Sequence, residues 1–227
     1  MKYREICRAV FLARPNRFIA HVELEGRQVV CHVKNTGRCR ELLVPGCTVY
    51  LEKADNPARK TGYDLVAVEK GELLVNMDAQ APNRVFEEWA RAGGFVPGLT
   101  LLRPETTWGS SRFDFYWEAE GGRRGFVEVK GVTLETEGHA LFPDAPTLRG
   151  VKHLAELTAC RASGLEACVC FVIQMAGMRD FAPNDATHPA FGQALRRAAE
   201  AGVGVLAMEC GVTPDSLSIQ KPVAVLL

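Results

Sequence analysis

The chain has 227 residues, 47% of them hydrophobic, and its 27 basic and 27 acidic residues cancel to zero net charge. That is enough apolar material to fill one large domain or two small ones. No apolar run approaches the ~18 to 20 residues of a membrane span, and no charged-then-apolar leader opens the sequence, so the expected location is the cytosol with no membrane partner. Eight cysteines without a CxxC pair or zinc-ligand spacing exclude a disulfide scaffold and a zinc module; they are expected to be reduced and mostly buried. Residues 1–46 carry nine Lys or Arg against Glu5, Glu23, Glu25 and Glu41, a local basic excess that favours a polyanionic partner there.

From Arg17 to about Met77 short alternating runs follow one another: RFIAHVEL, QVVCHVK, CTVYLEK, YDLVAVEK and ELLVNM. Turn chemistry separates them, at Glu25-Gly26, Pro45-Gly46 and Gly71-Glu72. Five such strands, with one helical turn around RCRELL, predict a small closed barrel of the OB type, with an SH3-like barrel as the nearest alternative. At DAQAPNRVFEEWARAGG the period changes from two to 3.6, predicting a helix capped by Asn83 and stopped by Gly93-Gly94. The domain boundary is expected near residue 80, with a barrel over 1–80 and a second domain over 81–227.

The second domain continues with a β-hairpin, SSRFDFYWEAEGGRRGFVEVKG (110–131), turning at Glu120 to Arg124. A helix is predicted over about 147–163 with Thr147 as its cap, a strand over 167–174, a helix over 188–201 and a strand over 203–209. Helices that alternate with strands after a hairpin predict an α/β domain with a mixed sheet.

Acids and a lysine interrupt the hairpin strands. Glu128 and Lys130 are two residues apart and share a face, while Val127 and Val129 face the other way. Pairing about the glycine turn brings Asp114 near Glu128. Two carboxylates that close ionise together only with a cation between them. Mg²⁺ or Mn²⁺ suits an all-oxygen site of one or two carboxylates, completed by waters and phosphate oxygens, and the lysine adds a point charge beside the phosphate. The pattern fits metal-dependent phosphodiester hydrolysis, with a solvated cross-strand Glu/Lys pair as the plain alternative.

These segments, together with CHVKNTGRCRELLVPG (31–46), ARKTGYDLVAVE (58–69), APN (81–83), GSSRFDF (109–115), FVEVKGVTLE (126–135), ALFPDAPTLRGVKHLAEL (140–157) and FVIQM (171–175), resemble the sugar fermentation stimulation protein family (SfsA) from Arg14 onward. The resemblance implies an OB-like domain followed by a PD-(D/E)xK nuclease-like α/β domain, DNA binding, and a role in regulating sugar metabolism, maltose in particular. By this likeness Asp114 and Glu128 are the metal-binding acids and Lys130 the catalytic lysine. Glu87 and Glu88 fall where many such nucleases carry one more Glu. Arg112-Phe113 stands before Asp114 in place of the namesake Pro.

Further DNA-binding candidates are Lys34, Arg38 and Arg40 around NTGRCR, together with Arg112, and Arg149 and Lys152 at the start of the second helix, where backbone N–H groups and cations could meet a phosphate. Asp144 in the rigid loop before that helix and Gln174 at the end of the following strand are auxiliary candidates. Tyr50 and Tyr63 are possible stacking platforms. His32 is given no role, and the three tryptophans are assigned to packing.

Overall fold

The computed structural model describes every residue except Thr36, Arg38 and Pro57. It begins with strands β1 (Ile6–Asn16), β2 (Ile19–Leu24), β3 (Arg27–Val33), β4 (Thr48–Lys53), β5 (Tyr63–Lys70) and β6 (Leu73–Asn76). Their order is β3-β2-β1-β4-β5-β6, and a parallel β3–β5 pairing, His32 opposite Asp64 and Val33 opposite Leu65, closes the first five into a barrel. The closed barrel agrees with the OB expectation, but its membership shifts by one. β1 is a wall strand that the alternating stretch does not include, and ELLVNM forms β6, which only extends β5. Phe11, Val22, Cys31, Val49, Leu51 and Leu65 fill the interior. Of the RCRELL segment, residues 39–43 make a single turn, with Leu43 N donating to Cys39 O at 3.0 Å, and Leu42 and Leu43 are buried; Arg38 lies outside the described residues.

Helix α1 (Ala81–Arg91) follows at once. Gln80, not Asn83, occupies its N-cap position, with Pro82 in the first turn. Proline there gives up an N–H that would have no helical partner. Asn83 is left free for a different contact. Val85, Phe86 and Ala90 form the buried stripe of α1; burying a side chain the size of Phe86 contributes about 1.5–3 kcal/mol.

The chain continues through β7 (Leu99–Trp108), β8 (Ser111–Ala119), β9 (Arg123–Val132), β10 (Leu134–Thr136), β11 (His139–Phe142), α2 (Leu148–Ala162), β12 (Glu166–Ile173), β13 (Asp180–Pro183), α3 (Pro189–Glu200), β14 (Gly204–Thr213), β15 (Ser216–Pro222) and β16 (Ala224–Val225). The main sheet is mixed, in the order β15-β14-β12-β9-β8-β7. β7, β8 and β9 are antiparallel neighbours, whereas β9, β12 and β14 run parallel with α2 and α3 as crossovers. Helix α1 packs on one face with Phe115, Trp117, Val127 and Val129, and α2 and α3 cover the other, where Leu154, Leu157 and Leu195 join Phe113, Phe126 and Phe171. A small sheet, β10-β11-β13-β16, flanks these layers. Thr147 caps α2 as expected, its side chain accepting from Gly150 N at 3.0 Å.

The two halves are stitched at several places. Asn76 N donates to Gln174 O, Lys70 pairs with Glu135, and near the start of the sequence Lys2 bridges to Ser216 while Tyr3 N donates to Asp215 O. All eight cysteines are free thiols. Among the described residues no helix is long and apolar enough to cross a membrane.

Candidate metal centre

The β8–β9 ladder runs from Ala119 opposite Arg123 to Phe115 opposite Val127 and stops there. One residue further, the Asp114 carboxylate substitutes for a strand partner, its Oδ2 accepting from Val129 N at 2.7 Å. Asn83 Nδ2 from α1 donates to the other oxygen at 2.8 Å. The alternation of β8 breaks at this point, for Phe115 packs on the α1 side and Phe113 on the α2 side. Both oxygens of Asp114 are therefore held by neutral donors, and neither by a cation.

Glu128 lies opposite and is only 4% exposed. As the spacing predicts, Lys130 is on its face, with Nζ 2.5 Å from Glu128 Oε1. Val127 and Val129 point into the α1-side cluster. The same Oε1 is bonded to His153 Nδ1. Arg149 Nε donates to His153 Nε2 at 3.3 Å, which leaves Nε2 an acceptor and Nδ1 the protonated nitrogen that donates to Glu128. The other carboxylate oxygen, Glu128 Oε2, is buried without a hydrogen-bond partner. A buried acceptor in that state costs about 1–3 kcal/mol.

The two acids respond to these surroundings in opposite directions. Burial, followed by the negative charge of Glu128, pushes Asp114 above its ordinary value, and the donors Val129 N and Asn83 only partly offset this. Burial alone would raise Glu128 too, but the His153 hydrogen bond and the Lys130 charge hold its carboxyl below the usual range. Among the described residues no group of three His, Cys, Asp or Glu ligands converges. What the site offers is two electrostatically coupled carboxylates, one with an unsatisfied oxygen.

The remaining candidates divide by location. Glu87 lines a cavity of about 430 Å³ together with Asp114, Asn83 and Arg84, while also pairing with Arg91 at 2.7 Å. Glu88 points elsewhere, to the Met1 amino group at 2.6 Å. Gln174 does not join the two acids: its Nε2 donates to Asn76 Oδ1 at 2.9 Å and to the carbonyls of Asn76 and Asp78. Asp144 lines a separate cavity shared with Gln174 and the barrel loop.

Among the cations, Arg149 and Lys152 are exposed on the first turns of α2, Lys152 Nζ lying 3.4 Å from Ser110 O. Arg112 is exposed near Glu105, and Arg40 is exposed on the barrel. Lys34 is enclosed by Glu52, Asp64 and Asp78 at 3.4–3.5 Å, so its charge is already compensated. Arg38 lies outside the described residues. Tyr50 donates to Glu69 at 2.7 Å, and Tyr63 packs against the core. His153 and Asn83 are contact residues that pattern reading did not assign. The only advance signal for His153 was its i, i+4 spacing from Arg149 on the helix after the ExK strand.

A closed five-stranded barrel joined to an α/β domain with a mixed sheet defines a two-domain protein whose second half carries the acidic site. Family models match each half: the SfsA N-terminal OB domain over residues 12–77 and the sugar fermentation stimulation protein RE domain over residues 80–216. The chain belongs to the sugar fermentation stimulation protein family. It is 57% identical over 227 residues to a sugar fermentation stimulation protein homolog of Desulfitobacterium hafniense, covering 100% of this chain and 99% of the relative. A homolog of Ruminiclostridium cellulolyticum is 51% identical, with both chains covered in full. Among solved structures, Pyrococcus furiosus SfsA in complex with Ca²⁺ is 26% identical with a TM-score of 0.90, covering 100% of this chain and 98% of that one.

Proposed function

We propose that this protein binds DNA and hydrolyses phosphodiesters at Asp114, Glu128 and Lys130 with Mg²⁺ or Mn²⁺, in the manner of a PD-(D/E)xK nuclease. One observation carries the reading: a half-buried acid and a buried one in electrical contact, Asp114 kept above its ordinary value and Glu128 with an orphaned oxygen, a combination that a divalent cation relieves. The donor set is all oxygen, as a hard ion requires, and the related Pyrococcus protein is described as a Ca²⁺ complex. Asp114 and Glu128 would hold the ion, which supplies charge neutralisation and a more acidic bound water. The protein's own groups do the rest. His153 and Lys130 orient Glu128 from its Oε1 side, leaving Oε2 for the ion. Lys130 sets a positive charge beside the phosphate under attack. Arg112, Arg149, Lys152 and Arg40 supply exposed cations for the flanking backbone.

In this reading the barrel, residues 1–80, helps grip the nucleic acid, the domain over 81–227 cuts it, and the protein acts in the cytosol as a regulator of sugar metabolism, maltose in particular; the family name itself speaks only of sugar fermentation. The test is incubation of purified protein with supercoiled and linear DNA, in Mn²⁺ or in chelator, beside Asp114→Asn. Metal-dependent nicking that the substitution abolishes, with DNA affinity retained, is expected. Cleavage that survives Asp114→Asn unchanged, or none with any divalent ion, would overturn it. The second outcome leaves a non-enzymatic DNA-binding regulator, a reading favoured by the way Lys130 and His153 already partner one oxygen of Glu128.

A further inference from the structure

Beside the acidic site, at the carboxyl ends of the parallel strands β9 and β12, lies a cavity of about 370 Å³ that both halves of the chain wall in. This is the position where open α/β sheets bind ligands, and the volume is within the range of small-molecule sites. Gly131, the residue after Lys130, forms part of its floor. We propose that this cavity receives one unstacked nucleobase carrying an exocyclic amine, drawn from the strand whose backbone passes Lys130; the proposal rests on the DNA-binding reading above.

The lining selects the ligand class. Leu134, Leu141, Phe142 and Pro143 give it apolar walls, suited to the faces of a flat ring. Among the described residues no Lys or Arg lines it, whereas the carboxylate of Asp144 does, so from these residues an anion meets a like charge and no counter-charge. Asp144 is an acceptor only. Gln174 has committed its amide N–H groups to Asn76 and Asp78, so its Oε1 is also left as an acceptor. Asn35, Thr133 and Thr147 also line the cavity and can donate as well as accept, but Asp144 and Gln174 Oε1 only accept, so a guest that meets these two brings hydrogen-bond donors on an otherwise apolar ring. Adenine, cytosine and guanine offer an exocyclic amine, whereas thymine has no amine and its one N3–H lies between two carbonyl oxygens that the carboxylate would repel.

Two glycines make room for these acceptors. A Cβ on Gly131 would sit 2.5 Å from Gln174 Oε1, and one on Gly37 would sit 2.8 Å from Asp144 Oδ2. In each case the missing side chain lets an acceptor approach the backbone closely, one across β9 and one across the barrel loop. Unstacking a base opposes binding, least in single strands, so single strands are the sensitive probe.

The experiment measures anisotropy of labelled oligo-deoxycytidine and oligo-deoxythymidine, about 12 nucleotides each to span a short binding site, with the full chain in chelator at fixed low salt. The two pyrimidines stack similarly and differ at the amine. Cytidine is expected to bind roughly tenfold more tightly, in line with one good base contact. Asp144→Asn should shrink that ratio, and Ala145→Trp, which fills the cavity from its loop, should bring it to one while the salt dependence of thymidine binding stays unchanged. Thermal unfolding checks that the tryptophan variant is folded; the Asp144 variant alters only an exposed side chain. Binding of both oligonucleotides with equal affinity, or a preference that survives both variants, overturns the cavity assignment and leaves the DNA-binding reading standing. Failure of both oligonucleotides to bind overturns the cavity assignment and the DNA-binding reading together.

Discussion

The barrel and the α/β domain each bury a cluster of carboxylates, and they balance them differently. In the barrel, Asp64 is 4% exposed and is met by Arg59 through two hydrogen bonds of 2.6 and 2.9 Å, by Lys34 at 3.5 Å and by His32 Nδ1 at 3.1 Å. Burial works to raise it, but these cations pull it below its ordinary value. In the α/β domain no described cation touches Asp114, and Lys130 and the His153 ring both converge on one oxygen of Glu128. The first cluster is compensated in charge. The second is left short of positive charge, the imbalance on which the proposed site rests.

The largest effect that could break this contrast is expected at the compensated cluster. Asp64→Ala removes the carboxylate that Arg59 grips twice, leaving Lys34 only Glu52 and Asp78, and should cost about 3 kcal/mol in urea unfolding, whereas Asp114→Asn should cost less than about 1 kcal/mol because it removes a repelled charge while keeping one acceptor. Equal costs would erase the distinction. Next in size is the divalent ion: at a hundredfold excess over its dissociation constant it should stabilise the chain by about 2.7 kcal/mol, read as a rise in Tm that chelator, Asp114→Asn or Glu128→Gln each removes.

His153→Ala is expected to cost about 1–2 kcal/mol, since it strips a donor from a buried carboxylate. It should also move the acid limit of metal binding to higher pH, because Glu128 then loses the bond that holds it low. Asp64 and Asp114 should contribute to the pH profile in opposite directions. Asp64, lowered, contributes stability that is complete above its unfolded value near 3.8 and is lost as pH falls through its lower folded value. Asp114, raised, disfavours the fold above its folded value and ceases to do so as acid protonates it, so metal affinity should begin to fall at a pH above 3.8. Calorimetric titration across pH checks both signs.

The smallest effect distinguishes exposed cations, among them Lys152 with its one loose partner Glu156 at 3.7 Å, from a cation enclosed by three acids. Lys152→Gln and Arg149→Gln should each reduce the salt slope of DNA binding by about 0.9. Lys34→Gln should leave that slope unchanged, its charge being spent on three neighbouring acids.

The sequence made the local layers legible and the convergent ones opaque. Period-two spacing put Glu128 and Lys130 on one face, and Thr147 announced the start of α2, because each depends only on near neighbours. β1 escaped notice: its run ICRAVFLARPN is half exposed and carries bulges near Ala13, which blur the alternation. β10, β11, β13 and β16 are two to four residues long and exist only by pairing with distant partners. The same reason hid the Asn83–Asp114 and His153–Glu128 contacts, which join segments 31 and 25 residues apart. Lys34 looked like a phosphate ligand because its acids arrive from β4, β5 and the segment before α1, none of them adjacent to it in sequence.

The bridge from Lys2 and Tyr3 to Asp215 and Ser216 has a consequence for how the molecule is made. A ribosome releases the barrel strands long before β15, so the segment leading into β1 must wait for most of the polypeptide before its partner exists. The barrel can close early, but its anchorage to the second half closes a loop spanning almost the whole molecule and falls late in assembly.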